Sequence, residues 1–160
     1  MDLIYIGKIV NTHGIKGEVR ILSDFEYKEE VFKINNKLIV DNNELIIKSY
    51  RKHKNYDMVT FEGIDDINDV LKYKGLDVYI DKDLLNIDGY LFNDLIGMEV
   101  YDIDNNYRGK VIDVYRSKKY DLLVVLNKKK YMIPYIESFV REIKNNKIII
   151  NYIKGLEDED

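Results

Sequence analysis

The apolar residues of this chain occur in short runs that are separated by glycine, asparagine and aspartate. The runs are rich in Ile, Val, Tyr and Phe, which favour β-strands, whereas the separating residues favour turns. In the first half of the chain the runs predict six strands, at 3–12, 18–23, 37–40, 45–51, 56–62 and 76–80. A series of strands this short predicts a small β-barrel.

One short helix is predicted to interrupt these strands. Asp66 stands where an N-cap is expected, Ile67, Val70 and Leu71 follow at helical spacing, and Gly75 provides a stop. The segment 26–34 is a weaker helix candidate, since no clear capping residue marks its start.

The second half of the chain predicts a second β domain. Its strands are expected at 98–103, 109–116, 122–126, 131–133 and 147–153. Asparagine-containing turns at 104–106, 127–129 and 145–146 separate them, because asparagine tolerates the positive φ of tight hairpins. We therefore predict an all-β protein with a first domain at 1–82, a linker at 83–93 and a second domain at 94–160.

Composition narrows the class of protein. The chain has 160 residues and no cysteine, which excludes disulfides and thiolate metal sites. Its apolar runs are all shorter than the roughly 18 residues that span a bilayer. The N-terminus also lacks a signal-peptide pattern. We therefore expect a soluble, cytoplasmic protein with no membrane partner.

Charge is distributed unevenly along the chain. The formal net charge of −4 argues against a protein that grips nucleic acid through an overall positive field. Residues 1–88 carry 13 Lys and Arg against 17 Asp and Glu, whereas residues 89–156 carry 12 against 8. An acidic first half is thus joined to a mildly basic second half, which ends in a short acidic tail at 157–160.

Two stretches resemble a known family. Residues 6–20, IGKIVNTHGIKGEVR, are similar to the opening strand, the HGIKGE turn and the second strand of the RimM family. The DLIG of 94–97, the GKV of 109–111, the DLLVV of 121–125 and the IPY of 133–135 resemble a PRC barrel, and Gly155-Leu156 matches its closing element. With the GIDD of 63–66 and Gly75, the resemblance covers essentially the whole chain.

The resemblance implies both a fold and a function. The implied fold is a six-stranded N-terminal barrel like the β domains of translation factors, followed by a linker and a PRC barrel. The implied function is ribosome maturation: binding of the free small ribosomal subunit through its nineteenth ribosomal protein, with assistance to head maturation and ribosomal RNA processing. It also implies no cofactor, no metal and no catalytic residue. The rival hypothesis is a PRC-barrel adaptor that serves a different RNA or protein complex.

The HGIKGE turn is the first candidate partner-binding site. Its predicted contact residues are His13, Gly14, Ile15, Lys16 and Gly17. From the residues alone, a tight loop whose glycines supply positive φ is the favoured interpretation of this pattern. The resemblance favours a docking loop, because binding residues collect on the loops of rigid scaffolds.

The aromatic segment Tyr90, Leu91 and Phe92 is the second candidate partner-binding site. A structureless linker would be polar, so these side chains either clamp the two domains together or form an exposed anchor. Members of the family often carry two consecutive tyrosines at this junction, whereas this chain has Tyr90 followed by Leu91. Contact through apolar area therefore fits better here than a role that needs both hydroxyl groups.

Two basic turns of the second half are candidate contacts for ribosomal RNA. They contain Arg116, Lys118, Lys119, Lys128, Lys129 and Lys130. Hairpin ends are commonly charged for solubility, so the turns form an RNA-binding patch only if they lie at one end of the barrel.

Other patterns favour structural roles. His13 with Glu18 could act as an acid/base pair, but the sequence shows neither a third positioned group nor a pocket. His53 stands among Arg51, Lys52 and Lys54, which is typical of a solvated basic turn. The run from Asp102 to Asn106 begins like a calcium loop but lacks the later glycine and glutamate, so a hairpin turn is predicted.

These observations favour a monomeric protein that acts by binding. Ribosomal proteins are strongly basic, so an acidic first domain would complement one electrostatically, while the basic second domain could contact nearby RNA. The predicted docking surface consists of the HGIKGE turn and the junction aromatics.

Overall fold

The computed structural model describes residues 1–158, with only the backbone described at Asp158. The chain divides into two compact units between Asp88 and Gly89. The exact bounds 1–82, 83–93 and 94–160 stay a prediction, and Glu159 and Asp160 of the predicted acidic tail lie outside the described residues.

The first unit is a closed barrel of six strands. The barrel order is β1-β2-β5-β4-β3-β6, and β6 pairs back onto β1, so the sheet has no free edge at this seam. All the pairings are antiparallel. The strands are β1 Leu3–His13, β2 Glu18–Leu22, β3 Lys37–Val40, β4 Asn43–His53, β5 Tyr56–Phe61 and β6 Asp77–Asp81. The six-stranded N-terminal barrel predicted from the sequence is confirmed.

Aliphatic side chains fill the inside of this barrel. The buried set includes Ile6, Ile9, Val19, Ile21, Leu38, Ile47, Met58, Phe61, Val78 and Ile80. Gly7 is required where β1 passes close to β2, since a Cβ there would lie 2.6 Å from the carbonyl oxygen of Leu22.

The helical segments of the first unit differ from the prediction. The residues after Asp66 form two consecutive 3₁₀ turns, Ile67–Asp69 and Leu71–Tyr73, in place of one α-helix. The Asp66 carboxylate accepts the backbone N–H of Asn68, as expected of an N-cap. Val70 and Tyr73 are both buried, and a spacing of three residues keeps two side chains on one face of a 3₁₀ turn. The segment 26–34, which was the weaker helix candidate, contains an α-helix. This helix, α1, spans Lys28–Val31 and has no side-chain cap.

The second unit is built on another six-stranded sheet. Its order is β10-β9-β8-β7-β12-β11, in which β12 runs parallel to β7 and the other neighbours are antiparallel. A short helix, α2 Phe92–Leu95, precedes it. The strands are β7 Glu99–Asp102, β8 Tyr107–Arg116, β9 Asp121–Asn127, β10 Lys129–Pro134, β11 Val140–Lys144 and β12 Lys147–Ile150. The core contains Leu95, Met98, Val100, Val111, Leu123, Val125, Tyr131, Ile133, Ile148 and Ile150. The predicted all-β class is confirmed.

The sequence prediction missed one strand of this sheet. Strand β11 carries three exposed charged residues, Arg141, Glu142 and Lys144, and so lacks the apolar run on which the other predictions rested. It lies at the end of the sheet order and pairs only with β12 in this order, as edge strands with charged side chains commonly do. The turn predicted at Asn145-Asn146 is confirmed, and both residues have positive φ.

Within residues 1–158, no helix is both long enough and apolar enough to cross a membrane.

A buried carboxylate fixes α1 to the first barrel. Asp57 on β5 is fully buried and accepts hydrogen bonds from Lys28 Nζ at 2.9 Å and from the Tyr50 hydroxyl at 2.7 Å. Burial, followed by the hydrogen bond to Asp57, raises the pKa of Tyr50 to about 12. Three elements, α1, β4 and β5, therefore depend on one carboxylate.

We expect Asp57→Ala to lower the free energy of unfolding by about 2 kcal/mol, because it leaves the Lys28 ammonium and the Tyr50 hydroxyl without their partner. Tyr50→Phe is the control and removes a single hydrogen bond, at a cost of about 1 kcal/mol. Urea unfolding of the full chain measures both values. An Asp57→Ala protein as stable as Tyr50→Phe would contradict this role for Asp57.

Candidate functional site

The β1–β2 turn holds an apolar side chain out into solvent. Gly14 and Gly17 adopt φ of +69° and +89°, as the two-glycine pattern predicted. The backbone of the turn is anchored, because Ile67 N–H donates to the Ile15 carbonyl at 3.0 Å. The Ile15 side chain is nevertheless 76% exposed. The turn is thus a fixed backbone with an exposed apolar tip.

A group of basic side chains lies beside this turn. His13 Nδ1 is 2.8 Å from an Arg20 guanidinium nitrogen, and the rings of His13 and His53 are 6.2 Å apart. We define the cationic cluster as His13, Arg20, Arg51, His53 and Lys54. The strands β1, β2 and β4, with the β4–β5 turn, bring these five residues together.

Glu18 is the carboxylate that meets this cluster. Its two oxygens accept hydrogen bonds from Arg51 Nη2 at 2.7 Å and Nε at 3.0 Å. These bonds lower the pKa of Glu18 below its ordinary value, against a smaller opposing effect of burial. The candidate acid/base pair is thus arranged differently from the sequence hypothesis: Glu18 bonds to Arg51, and His13 bonds to Arg20.

The surroundings of His53 favour its neutral form. Burial, followed by the charges of Arg51 and Lys54 and then by His13 and Arg20, lowers the pKa of His53 below its ordinary value. The sequence hypothesis placed His53 in a solvated basic turn. The structure agrees on the basic neighbours and adds a ring contact with His13 on β1.

The junction aromatics do not share one environment. Tyr90 and Phe92 are half-buried and pack against the core of the second unit, and the Tyr90 hydroxyl donates to the Ile143 carbonyl at 3.4 Å. The Arg116 guanidinium lies 5.4 Å from the Phe92 ring centre. Leu91 is only 2% exposed. Of the three predicted contact residues, Leu91 is therefore the one that has no surface to offer a partner in this structure.

The two basic turns of the second unit are not brought together. One turn connects β8 to β9 and contains Lys118 and Lys119, and the other connects β9 to β10 at Lys128. They lie at opposite ends of β9, a strand of seven residues, so about 20 Å of strand separates them. All six predicted RNA-contact residues are exposed. The condition that both turns lie at one end of the barrel is not met.

The candidate calcium loop is a hairpin turn, as predicted. The buried Asp102 carboxylate accepts hydrogen bonds from the backbone N–H groups of Asp104 and Asn106 and from the Arg108 guanidinium. Burial opposes the charged form, but these hydrogen bonds outweigh it and lower the pKa of Asp102. Its oxygens serve the turn and Arg108, and the described residues contain no group of three or more His, Asp or Glu arranged to hold a metal ion.

Sequence reasoning missed the contributions of Arg20 and Arg51 to the site. Both lie on strands, two residues or more from the glycine-rich turn that drew attention. The available signal was the pairing of neighbouring strands, since residues that lie opposite each other on a barrel are far apart in the sequence. To predict that Arg20 and Arg51 lie close together, one needs the register of β2, β5 and β4, in which Met58 lies opposite both residues.

The fold and these surfaces define an all-β protein of two small domains whose predicted site residues lie on turns and strand ends. A family model described as the RimM N-terminal domain matches residues 4–85, and one described as the PRC-barrel domain matches residues 87–157. The chain belongs to the RimM family, as its sequence patterns predicted.

Named relatives agree with this assignment. The chain is 50% identical over 84 residues to a protein of an Exiguobacterium species, covering 50% of this chain and 49% of the relative. It is 49% identical over 76 residues to a protein of Geobacillus kaustophilus, covering 44% of this chain and 43% of the relative. Both relatives are named ribosome maturation factor RimM. In these alignments the chain spans about half the length of the curated relatives it matches.

Two solved structures are also similar. One is described as a 16S ribosomal RNA processing protein RimM from Pseudomonas aeruginosa; it is 22% identical, with a TM-score of 0.47, and the match covers 95% of this chain and 98% of that one. The other is the N-terminal domain of RimM from Thermus thermophilus, which is 20% identical, with a TM-score of 0.47 and coverage of 54% and 98%.

We expect the stability of the first unit to fall as the pH decreases from about 7.5 to about 5.5, in part because of His53. Since the folded-state pKa of His53 is lowered, the unfolded chain binds the proton more readily, and acid therefore favours unfolding. His53→Gln should reduce this pH dependence and leave the stability at the upper pH nearly unchanged. Urea unfolding at the two pH values tests this, and an unaltered pH slope in His53→Gln would refute it.

Proposed function

We propose that this protein is a ribosome maturation factor that works by binding the free small ribosomal subunit during its assembly. Membership of the RimM family supports this function, and so do the names of the relatives from Exiguobacterium and Geobacillus. The observation that carries the proposal is the β1–β2 turn, whose anchored backbone displays Ile15 to solvent. An ordered apolar tip loses little conformational entropy on binding, which suits a docking contact.

The proposed partner on the subunit is its nineteenth ribosomal protein. The resemblance to the family suggests this partner, and charge supports it, because residues 1–88 carry four more acidic than basic residues. An acidic domain attracts a strongly basic ribosomal protein and orients it on approach. Through this contact the protein assists maturation of the head region and processing of the small-subunit RNA.

The segment Tyr90, Leu91 and Phe92 of the second unit is proposed as a separate docking contact. Tyr90 and Phe92 are half-buried and keep part of each ring accessible, whereas Leu91 supports the junction from inside. Aromatic side chains contribute large contact areas at interfaces. A groove of about 400 Å³ lies beside Tyr90 and is lined by Tyr135, Ile136 and strand β11, which gives an apolar partner segment room to enter.

We propose that the protein is monomeric and cytoplasmic, and that it binds its partner without catalysis and without a cofactor. The basic turns of the second unit support a further contact with ribosomal RNA. Because the two turns lie about 20 Å apart along β9, they would contact separate phosphate groups rather than form one patch.

We expect Ile15→Asp to weaken co-sedimentation of the protein with free small subunits at least about tenfold, because it places a charge in the apolar centre of the contact. Ile34→Asp is the matched control: Ile34 lies in the same unit, is 54% exposed and is outside the predicted surface. Sucrose-gradient fractionation with purified subunits measures the bound fraction of each variant.

The control separates docking from folding. Ile15→Asp and Ile34→Asp introduce the same charge and should unfold at similar urea concentrations. Equal co-sedimentation of the two variants would refute the role of the β1–β2 turn. Recovery of the wild-type protein with a complex other than the small subunit would favour the adaptor hypothesis instead.

A further inference from the structure

We infer that the cationic cluster of the first barrel is an RNA-binding surface that takes the phosphate backbone of ribosomal RNA. This inference rests on the proposed function for the identity of the RNA. It places a nucleic-acid contact on the acidic first unit, where the charge of the sequence alone argued against one.

The cluster has a local surplus of positive charge. At neutral pH it carries the three cations Arg20, Arg51 and Lys54 against the single carboxylate of Glu18. The segment 45–56, which covers most of β4 and the β4–β5 turn, holds no Asp or Glu and four Lys or Arg residues, of which Arg51 and Lys54 belong to the cluster. Yet the unit as a whole is acidic, so its cations are concentrated here rather than spread evenly.

The carboxylates nearest to the cluster are already engaged. Glu18 accepts both of its bonds from Arg51, and Asp57 is fully buried with Lys28 and Tyr50 as partners. Arg20 contacts no carboxylate among its described partners; it meets His13 at 2.8 Å, and its guanidinium carbon lies 5.6 Å from the Tyr56 ring centre. A guanidinium whose described partners include no carboxylate keeps its charge for an external anion.

The chemistry of the cluster favours phosphate as the anion. Guanidinium and imidazole groups on a rigid sheet match phosphate oxygens in geometry and charge, and such contacts position RNA without reading its sequence. Cluster residues come from separate strands, so they form a broad face rather than a closed pocket. A broad cationic face suits a chain of phosphates better than a single small anion.

Histidine gives this surface a pH dependence. His13 and His53 are faced by Arg20 and Glu18 on β2, Arg51 on β4, Lys54 in the turn and Tyr56 on β5. Protonation of His53 beside these cations is unfavourable unless an anion is bound, so bound phosphate favours the charged form of the His53 ring. By linkage, RNA binding should strengthen as the pH falls.

The experiment measures binding of the full chain to a fluorescein-labelled oligouridylate by fluorescence anisotropy at several salt concentrations. We expect Arg51→Gln to weaken binding and to lower the salt slope by about 0.7 for each phosphate that the variant no longer neutralises. We expect Glu18→Gln to tighten binding several-fold, since it removes the carboxylate and releases Arg51. A purely structural role for this ion pair would not produce opposite signs.

Lys48→Gln is the matched control, because Lys48 lies on β4, the strand that also carries Arg51 and His53, but pairs with Asp65 and lies outside the cluster. It removes the same charge as Lys54→Gln, so binding should be weakened by Lys54→Gln and nearly unchanged by Lys48→Gln. Between about pH 7.5 and 5.5 the wild-type affinity should increase, and His53→Gln should lose most of that increase.

Three outcomes would overturn the inference. Equally weakened binding in Lys48→Gln and Lys54→Gln would indicate total charge alone, and weaker binding in Glu18→Gln would show that the pair acts only in folding. Equally tight binding of labelled polyglutamate would assign the surface to acidic protein. The two assays test different hypotheses. Loss of RNA binding with intact subunit co-sedimentation would contradict only the RNA-binding inference. Intact RNA binding with loss of subunit co-sedimentation would contradict only the proposed docking.

Discussion

The closing of β1 onto both β2 and β6 is the constraint on which the first unit depends. Because β1 pairs on both flanks, the barrel order is fixed, and β2, β5 and β4 must follow one another around the wall. This order brings the β1–β2 turn and the β4–β5 hairpin near each other, although about forty residues separate them in the sequence. The pairing of β1 with β2 itself requires Gly7, because a Cβ there would lie 2.6 Å from the carbonyl oxygen of Leu22. The proposed sites are thus consequences of barrel closure.

Charge within the first unit is arranged by the same wall. A domain with more acidic than basic residues presents a cationic face because its nearby carboxylates are committed: Glu18 to Arg51, and Asp57 to the barrel interior and α1. Net charge therefore describes the long-range field of the unit but not its contact surfaces. A basic protein that approaches to about a Debye length meets the net acidic field of the domain, whereas an RNA phosphate in contact with the cluster meets mainly arginine and lysine.

Prediction from the sequence succeeded where local pattern decides the structure. The strand runs, the asparagine turns and the positive φ of Gly14 and Gly17 follow from residue type, and they were found as predicted. Prediction failed where tertiary context decides: the edge strand β11 lacks an apolar run, and the segment after Asp66 tightens into 3₁₀ turns that bury Val70 and Tyr73. The cationic cluster belongs to the second kind, because His13, Arg20 and Arg51 meet only through register.

The two proposed contacts on the first barrel lie side by side, and this arrangement has a consequence for maturation. His13 belongs to the cationic cluster and is two residues from Ile15, so protein docking at the turn leaves the cluster facing whatever lies next to that protein. Under the two proposals that neighbouring surface is ribosomal RNA. Two modest contacts that share one rigid barrel raise each other's effective concentration, so binding is tighter when both ligands are in the correct relative position than when either is present alone. A factor built in this way would distinguish a subunit in which the protein and RNA have reached that geometry from one in which only one of them is present.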